Sequence, residues 1–230
     1  MGNCKIKEIV FLFDVDNTLL DNDRVQDDLS KYLESKFGTE SRDRYWTIFE
    51  RLRSELGYAD YLGALQRYRI DALCDPKLLM MSAFLVDYPF ADRLYPGSLA
   101  VLKHVAKWGT AVILSDGDVV FQPRKVQLSG LWGAVGGRVL IYIHKEQMLA
   151  DIERLYPARR YVMVDDKLRI LEIMKQVWGG RLTTIFPRQG HYALDPENMT
   201  AYLKADITIE HIADIINLDL TSLLNPTGGK

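Results

Sequence analysis

Residues 9–23 read IVFLFDVDNTLLDND, five apolar residues from Ile9 to Phe13 that run straight into a cluster of acids. The apolar run has the length and β-branched content of a buried strand, and it ends by aiming two carboxylates, Asp14 and Asp16, into one small volume. Like charges that close together repel, so the arrangement lowers stability unless a cation or a reaction makes use of it. The stretch therefore predicts both an α/β strand and a place for chemistry at its end.

Working outward, EIVFLFD, TAVILSD, RYVMVDD and LTTIF are all short apolar runs that stop at polar residues, and RVLIYI, ending before His144, is a fifth. ADITI, Ala205 to Ile209, is a sixth. Helical patterns lie between them. In PGSLAVLKHVAKWG, the residues Leu99, Leu102, Val105 and Ala106 fall on one face, with Gly109 as the expected stop. Strands alternating with helices predict an open, parallel α/β sheet.

Residues 22–90 break this alternation. Leu29, Leu33 and Phe37 recur at four-residue spacing in DDLSKYLESKFG, and RYWTIFERLRSEL, DYLGALQRYRIDAL and PKLLMMSAFLVDY follow, with Gly38, Gly57 and Pro76 at the boundaries. The expected organisation is a core domain made of residues 1–21 and 91–230, with residues 22–90 inserted as an all-helical unit of about four helices.

At 230 residues the chain is long enough to bury a sizeable core, and its 48% hydrophobic and 26% charged content is that of an ordinary globular protein. A formal charge of −2 gives no general attraction to nucleic acid or to an anionic membrane, so neither is expected as a partner. The two cysteines, Cys4 and Cys74, have no histidines at metal spacing and read as free thiols in a reducing compartment. The N-terminal apolar run is too short for a signal peptide or a membrane span, and Ile6 stands where a myristoylation signal has Ser or Thr. A cytoplasmic monomer or homodimer is expected.

In open α/β sheets ligands bind beyond the carboxyl ends of the strands. The first strand ends on Asp14, Asp16 and Thr18, and the second on Ser115, Asp116 and Gly117. RVLIYI ends near His144 and Lys145, and YVMV on Asp165 and Asp166. Taken singly, each is a turn, a helix cap or a surface charge. Taken together at four strand ends, they are nucleophile-grade carboxylates, a hydroxyl, a lysine and a carboxylate pair on one edge.

With those residues in view, the chain resembles the haloacid dehalogenase (HAD) superfamily. DVDNT is similar to its DxDx[TV] first motif, LSDG to its Ser/Thr second motif, Lys145 to its third-motif lysine and VDDK to its acidic fourth motif, in the family's order. The resemblance covers essentially the whole chain. It implies a Rossmann-like core and makes the helical insertion similar to the family's C1 cap. It also implies a Mg²⁺-dependent phosphatase of a small phosphorylated metabolite, in which Asp14 attacks phosphorus and forms an aspartyl-phosphate. By the same resemblance Asp16 is the general acid and base, and Ser115, Asp116, Gly117 and Lys145 bind the phosphoryl group. Asp14, the Asp16 carbonyl, Asp165 and Asp166 hold the metal. Asp166 aligns with the direct ligand and Asp165 with a supporting one, and the reverse assignment stays open.

The sequence departs from the family pattern at two places. Glu146 follows the lysine where proline is usual, and Arg169 and Ile170 occupy the place of a later fourth-motif acid. Phe121, Gln122, Pro123 and Arg124 follow the second motif closely enough either to border the pocket or simply to start a helix. Arg42, Arg44, Arg51, Arg53, Arg67 and Arg69 crowd the insertion. They read chiefly as a solvated face, with one or two free to grip an anionic group of the substrate. The four histidines, His144 and His191 among them, show no ligand spacing and are expected to be non-catalytic. Other activities open to such a chain are a 2-haloacid dehalogenase, which Asp16 argues against because halide leaves without a proton, a phosphomutase, and a non-catalytic phospho-acceptor or binding relative.

Overall fold

A computed structural model of the protein describes residues 7–71 and 77–221. The readings placed on Cys4, Ile6, Cys74 and Pro76 lie outside those residues. In chain order, β1 (Lys7–Phe13) is followed by four helices, α1 (Asn22–Phe37), α2 (Thr39–Leu56), α3 (Tyr61–Tyr68) and α4 (Lys77–Val86). Then come α5 (Ser98–Val105), β2 (Thr110–Asp116), α6 (Phe121–Leu128), α7 (Leu131–Ala134), β3 (Val139–Tyr142) and α8 (Leu149–Leu155). The remainder is β4 (Ala158–Val164), α9 (Leu168–Trp178), β5 (Leu182–Pro187), α10 (Gly190–Leu194), α11 (Pro196–Ala201) and β6 (Ile207–Ile209).

The six strands form one parallel sheet in the order β3-β2-β1-β4-β5-β6. The chain moves outward from β1 through β2 to β3, then returns to the other side of β1 for β4. The direction of winding thus reverses between β1 and β4, which opens a crevice at their carboxyl ends. Alternation along the strands fills both faces. Ile9, Phe11 and Phe13 face a core shared with α1 to α7, whereas Val10 and Leu12 face one shared with α8 and α9. This is why the strands read as unbroken apolar runs.

The core of the helical insertion is continuous with the first of these layers, since Leu29, Leu33, Tyr45, Phe49 and Tyr61 belong to the same buried cluster as Phe90 and Phe121. Tyr61 meets Phe121 at 4.8 Å between ring centroids, and Phe121 meets Phe90 at 5.7 Å. Among the described residues, no helix is long and apolar enough to cross a membrane.

Local differences from the sequence reading have simple causes. α5 ends at Val105 and buries Ser98, Val101, Leu102 and Val105, while Leu99 is 43% exposed and Ala106 is also exposed. Gly109 does not stop that helix. It leads into β2, where a Cβ would lie 2.5 Å from the Ile9 carbonyl oxygen, so close strand approach requires glycine there. The strand in RVLIYI ends at Tyr142, and the one in ADITI is only Ile207–Ile209, because each pairs with one neighbour at a sheet edge.

Candidate active site

Asp14 follows directly on β1, is 5% exposed, and donates its N–H to the Val164 carbonyl at 3.0 Å. The chain then turns tightly, with the N–H groups of Leu19 and Leu20 both reaching the Val15 carbonyl at 2.9 Å. Asn17 carries a φ of 60° in this turn. Its side-chain oxygen makes that tolerable by accepting the N–H groups of Asn22 and Asp23 at 3.0 and 3.2 Å. The turn therefore also launches α1, and it gives Asp14 and Asp16 different partners.

Around Asp14 the acids converge. Oxygen atoms of Asp14, Asp165 and Asp166 all lie within 4.8 Å of one another, and all three residues are buried. Asp165 and Asp166 are delivered by the end of β4, the strand next to β1. Lys145, 1% exposed, places its Nζ 2.5 Å from Asp14 Oδ1 and 2.7 Å from Asp165 Oδ2. One ammonium is not enough for three carboxylates. Asp14 Oδ2 and both oxygens of Asp166 are buried without a hydrogen-bond donor.

The electrostatics follow from that shortage. Burial, with Asp165 and Asp14 alongside, pushes the Asp166 carboxyl well above the usual range, against the pull of Lys167 and Lys145. Burial also raises the Asp165 carboxyl, although Lys145 opposes the shift. For Lys145 itself burial works against the charge, but Asp14, Asp165 and Asp116 outweigh it and hold the ammonium firmly protonated.

Asp16 has a different surrounding. Its Oδ1 accepts from Lys125 Nζ at 2.6 Å, and its Oδ2 lies 3.3 Å from Gln122 Nε2. Gln122 also donates to Ser115 Oγ at 2.9 Å, and Lys125 to Asn22 Oδ1 at 3.0 Å. Both residues come from the buried face of α6, along with Phe121 and Val126. Gln122 fits against the end of β2 because Gly117 has no Cβ, which would lie 2.6 Å from the Gln122 Cβ.

Ser115, the penultimate residue of β2, is buried. Asp116 turns its carboxylate onto the backbone of the third-motif turn, accepting the Lys145 N–H at 2.7 Å. Its carboxyl is raised to about 6 by burial, against the pull of Lys145. Thr18 Oγ1 accepts the Asp166 N–H at 3.1 Å, so the first motif also holds the fourth.

A cavity of about 130 Å³ opens between the helical insertion and the sheet edge, lined by Asp16, Asn22, Arg53, Tyr58, Lys167 and His191 among others. Of the six arginines singled out in the insertion, Arg53 is the one on this wall, and its bond to Glu50 is a 3.3 Å contact at the surface. Arg42 is occupied by Glu34 and Asp43, Arg67 by Glu55, and Arg44 lies over the Tyr68 ring. His191 lines the cavity and pairs with Asp23 at 2.6 Å, whereas His144 packs against Gly57.

The two departures from the family pattern meet each other. Glu146, buried in the third-motif turn, bonds Arg169 at 3.0 Å. A carboxylate where proline is usual is thus matched by a guanidinium where an acid is usual. Neither residue belongs to the Asp14 cluster.

Lys125, Asn22, Tyr61 and Lys167 escaped the sequence reading. The signal for Lys125 was available, since a lysine on the same face of α6 as Phe121, Gln122 and Val126 is a charge placed on a buried stripe. Tyr61 Oη joins α1 to α3 by accepting from Gln26 Nε2 at 2.9 Å and Asn22 Nδ2 at 3.3 Å.

Comparison with known proteins identifies the family and the fold. The family model for haloacid dehalogenase-like hydrolases matches residues 10–177. A crystal structure assigned to the haloacid dehalogenase-like hydrolases, from Burkholderia xenovorans LB400, is 62% identical over 94% of this chain and 98% of that one, with a TM-score of 0.89. The L-2-haloacid dehalogenase of Xanthobacter autotrophicus, 19% identical over 93% of this chain and 98% of its own, has a TM-score of 0.58. A HAD hydrolase of Bacillus subtilis, crystallised with magnesium, is 15% identical over 95% and 99% of the two chains, with a TM-score of 0.61. The last two show likeness of fold alone. A search of the curated proteins finds no match. The chain belongs to the haloacid dehalogenase-like hydrolases.

Proposed function

We propose that this haloacid dehalogenase-like hydrolase is a Mg²⁺-dependent phosphatase of a small phosphorylated metabolite, acting through an aspartyl-phosphate on Asp14. The observation that carries the reading is the buried trio of Asp14, Asp165 and Asp166, with three oxygens lacking any donor. An all-oxygen, all-carboxylate donor set of this kind fits a hard divalent cation. Displacement of halide from carbon has no use for such a set, nor for Asp16.

The difficulty in phosphoryl transfer to a carboxylate is that anion approaches anion, and two unit charges at 4 Å repel by about 4 kcal/mol at an effective dielectric of 20. Asp14, Asp165 and Asp166, with the Asp16 carbonyl, would hold Mg²⁺, which would supply positive charge for the phosphoryl oxygens. The chain's own groups do the rest. Lys145 fixes Asp14 Oδ1 and adds charge beside it. The Ser115 hydroxyl accepts from Gln122, and its own proton, which makes only a 3.5 Å contact with the Asp116 carbonyl, turns to a phosphoryl oxygen when substrate is bound. Asp116 and Gly117 shape that turn: the carboxylate holds the Lys145 N–H and the glycine makes room for Gln122. Asp16 gives a proton to the leaving oxygen and then takes one from the attacking water.

Specificity would come from the cavity wall. Arg53 and Lys167 face a volume suited to a short polar substrate carrying a further anionic group. A screen of phosphorylated metabolites with and without Mg²⁺ tests the proposal. Release of phosphate only with the metal is expected, whereas metal-independent release of halide from a 2-haloacid, with no phosphate released from any phosphoester, overturns it.

A further inference from the structure

Lys125 has no part in the reaction set out above, yet it is 0% exposed. An ammonium is carried into such a place only where partners compensate its lost hydration. It lies 5.1 Å from the Phe121 ring centroid and 5.9 Å from that of Tyr61, with its Nζ on Asp16 Oδ1 and Asn22 Oδ1. The two oxygens of Asp16 are therefore held unequally. Oδ1 takes a short, charge-assisted bond of 2.6 Å, and Oδ2 only a 3.3 Å contact with an amide that also serves Ser115.

We propose that Lys125 is a positioning residue for proton transfer, anchoring Asp16 Oδ1 so that Oδ2 is the oxygen that reacts. The inference rests on the phosphatase reading. In the first half-reaction a carboxyl oxygen of Asp14 bonds to phosphorus, the bond from phosphorus to the ester oxygen breaks, and the proton on Oδ2 passes to that oxygen. In the second, water oxygen bonds to phosphorus, its proton goes to Oδ2, and the bond from phosphorus to Asp14 breaks. Charge and atoms balance over the cycle, and Lys125 stays protonated throughout. Its second partner, Asn22, is the first residue of α1 and bonds the Tyr61 hydroxyl on α3. The direction of the acid is thus set by the sheet edge and the helical insertion together.

The test is a double-mutant cycle of Asp16→Asn and Lys125→Met, with kcat and KM measured on an alkyl phosphate and on p-nitrophenyl phosphate. Loss of positioning predicts that Lys125→Met lowers kcat on the alkyl phosphate by about 10–100-fold, within the span of a proton-transfer contribution, while KM changes less than about threefold. The loss in first-turnover nitrophenol release is smaller, since nitrophenolate departs without a proton. In the Asp16→Asn background, Lys125→Met changes kcat by less than about threefold, because the two substitutions disable one function. Equal losses in both backgrounds, or a wild-type rate for Lys125→Met, overturn the role of Lys125 and leave the phosphatase reading standing. Absence of Mg²⁺-dependent phosphate release by the unsubstituted chain overturns both. If Lys125→Met does not melt as a folded protein, the same cycle is run with Lys125→Gln, which removes the charge and keeps a donor for Asn22.

Discussion

Asp14 and Asp16 are separated by a single residue, yet one joins a cluster it cannot neutralise and the other a network that neutralises it. Around Asp14 three buried carboxylates share one close ammonium, and three of their oxygens have no donor. Around Asp16 one carboxylate meets one buried ammonium, and two amides take up the remaining bonds. The first arrangement carries buried negative charge that its own donors do not compensate, and the second is compensated within the chain. The contrast separates a crowded, undercompensated carboxylate from one held by a paired ammonium.

The largest effect that follows is on Asp14→Asn, which keeps the shape of the site and removes the carboxylate proposed to attack. Turnover is expected to fall to background while near-native unfolding is retained, as measured by phosphate release and circular dichroism. Full Mg²⁺-dependent activity in that variant would erase the distinction between the two aspartates.

Next in size is Asp16→Asn, which should slow an alkyl phosphate by about 10²–10⁴-fold. On p-nitrophenyl phosphate it should give a burst of nitrophenol followed by slow turnover. Phosphate then accumulates on Asp14, and rapid acid quench with mass spectrometry detects it. A linear time course with no trapped phosphate counts against Asp16 as the base.

Stability should separate the two sites by sign. In metal-free protein Asp166→Asn replaces a buried carboxylate that lacks donors and should raise the melting temperature, whereas Asp16→Asn leaves the buried Lys125 charge without its counter-ion and should lower stability by roughly 1–3 kcal/mol. Millimolar Mg²⁺ should stabilise the unsubstituted protein by mass action and do so much less for Asp166→Asn. Thermal melts of the three proteins with and without the metal decide this. Shifts of the same sign for both variants would collapse the contrast.

The smallest effect concerns Asp116, whose carboxyl is raised to about 6 by burial. A raised folded-state pKa favours the protonated form, so this group's contribution is greatest below the unfolded value of about 3.9 and is lost as pH rises toward about 6. Asp116→Asn keeps an acceptor for the Lys145 N–H and cannot titrate. Its melting temperature relative to the unsubstituted protein should therefore rise between pH 4 and pH 7. A constant difference across that range would remove Asp116 from the account.

The parallel sheet was legible because each strand is buried on both faces and so carries an unbroken apolar run. The acids at the strand ends were legible only as a set: singly each reads as a turn or a helix cap, but polar residues of complementary chemistry at four strand ends of one sheet do not. Lys125 and Gln122 lie beyond that logic, since they reach Asp16 from more than 100 positions away in sequence. The pairing of Glu146 with Arg169 was equally hidden, because each is an unremarkable surface residue type until the third-motif turn and the start of α9 are brought together.

By itself, then, the sequence determined the elements, the order of the sheet-end motifs and the family resemblance, because periodicity and local residue type act over a few positions along the chain. Which carboxylates would be left without donors, which lysine would serve which acid, and which arginine of the insertion would face the cavity were decided only by the tertiary structure. Burial and electrostatic pairing act through space, and the reversal of winding between β1 and β4 brings Asp14, Asp165 and Asp166 to one point while α6 sets Lys125 against Asp16.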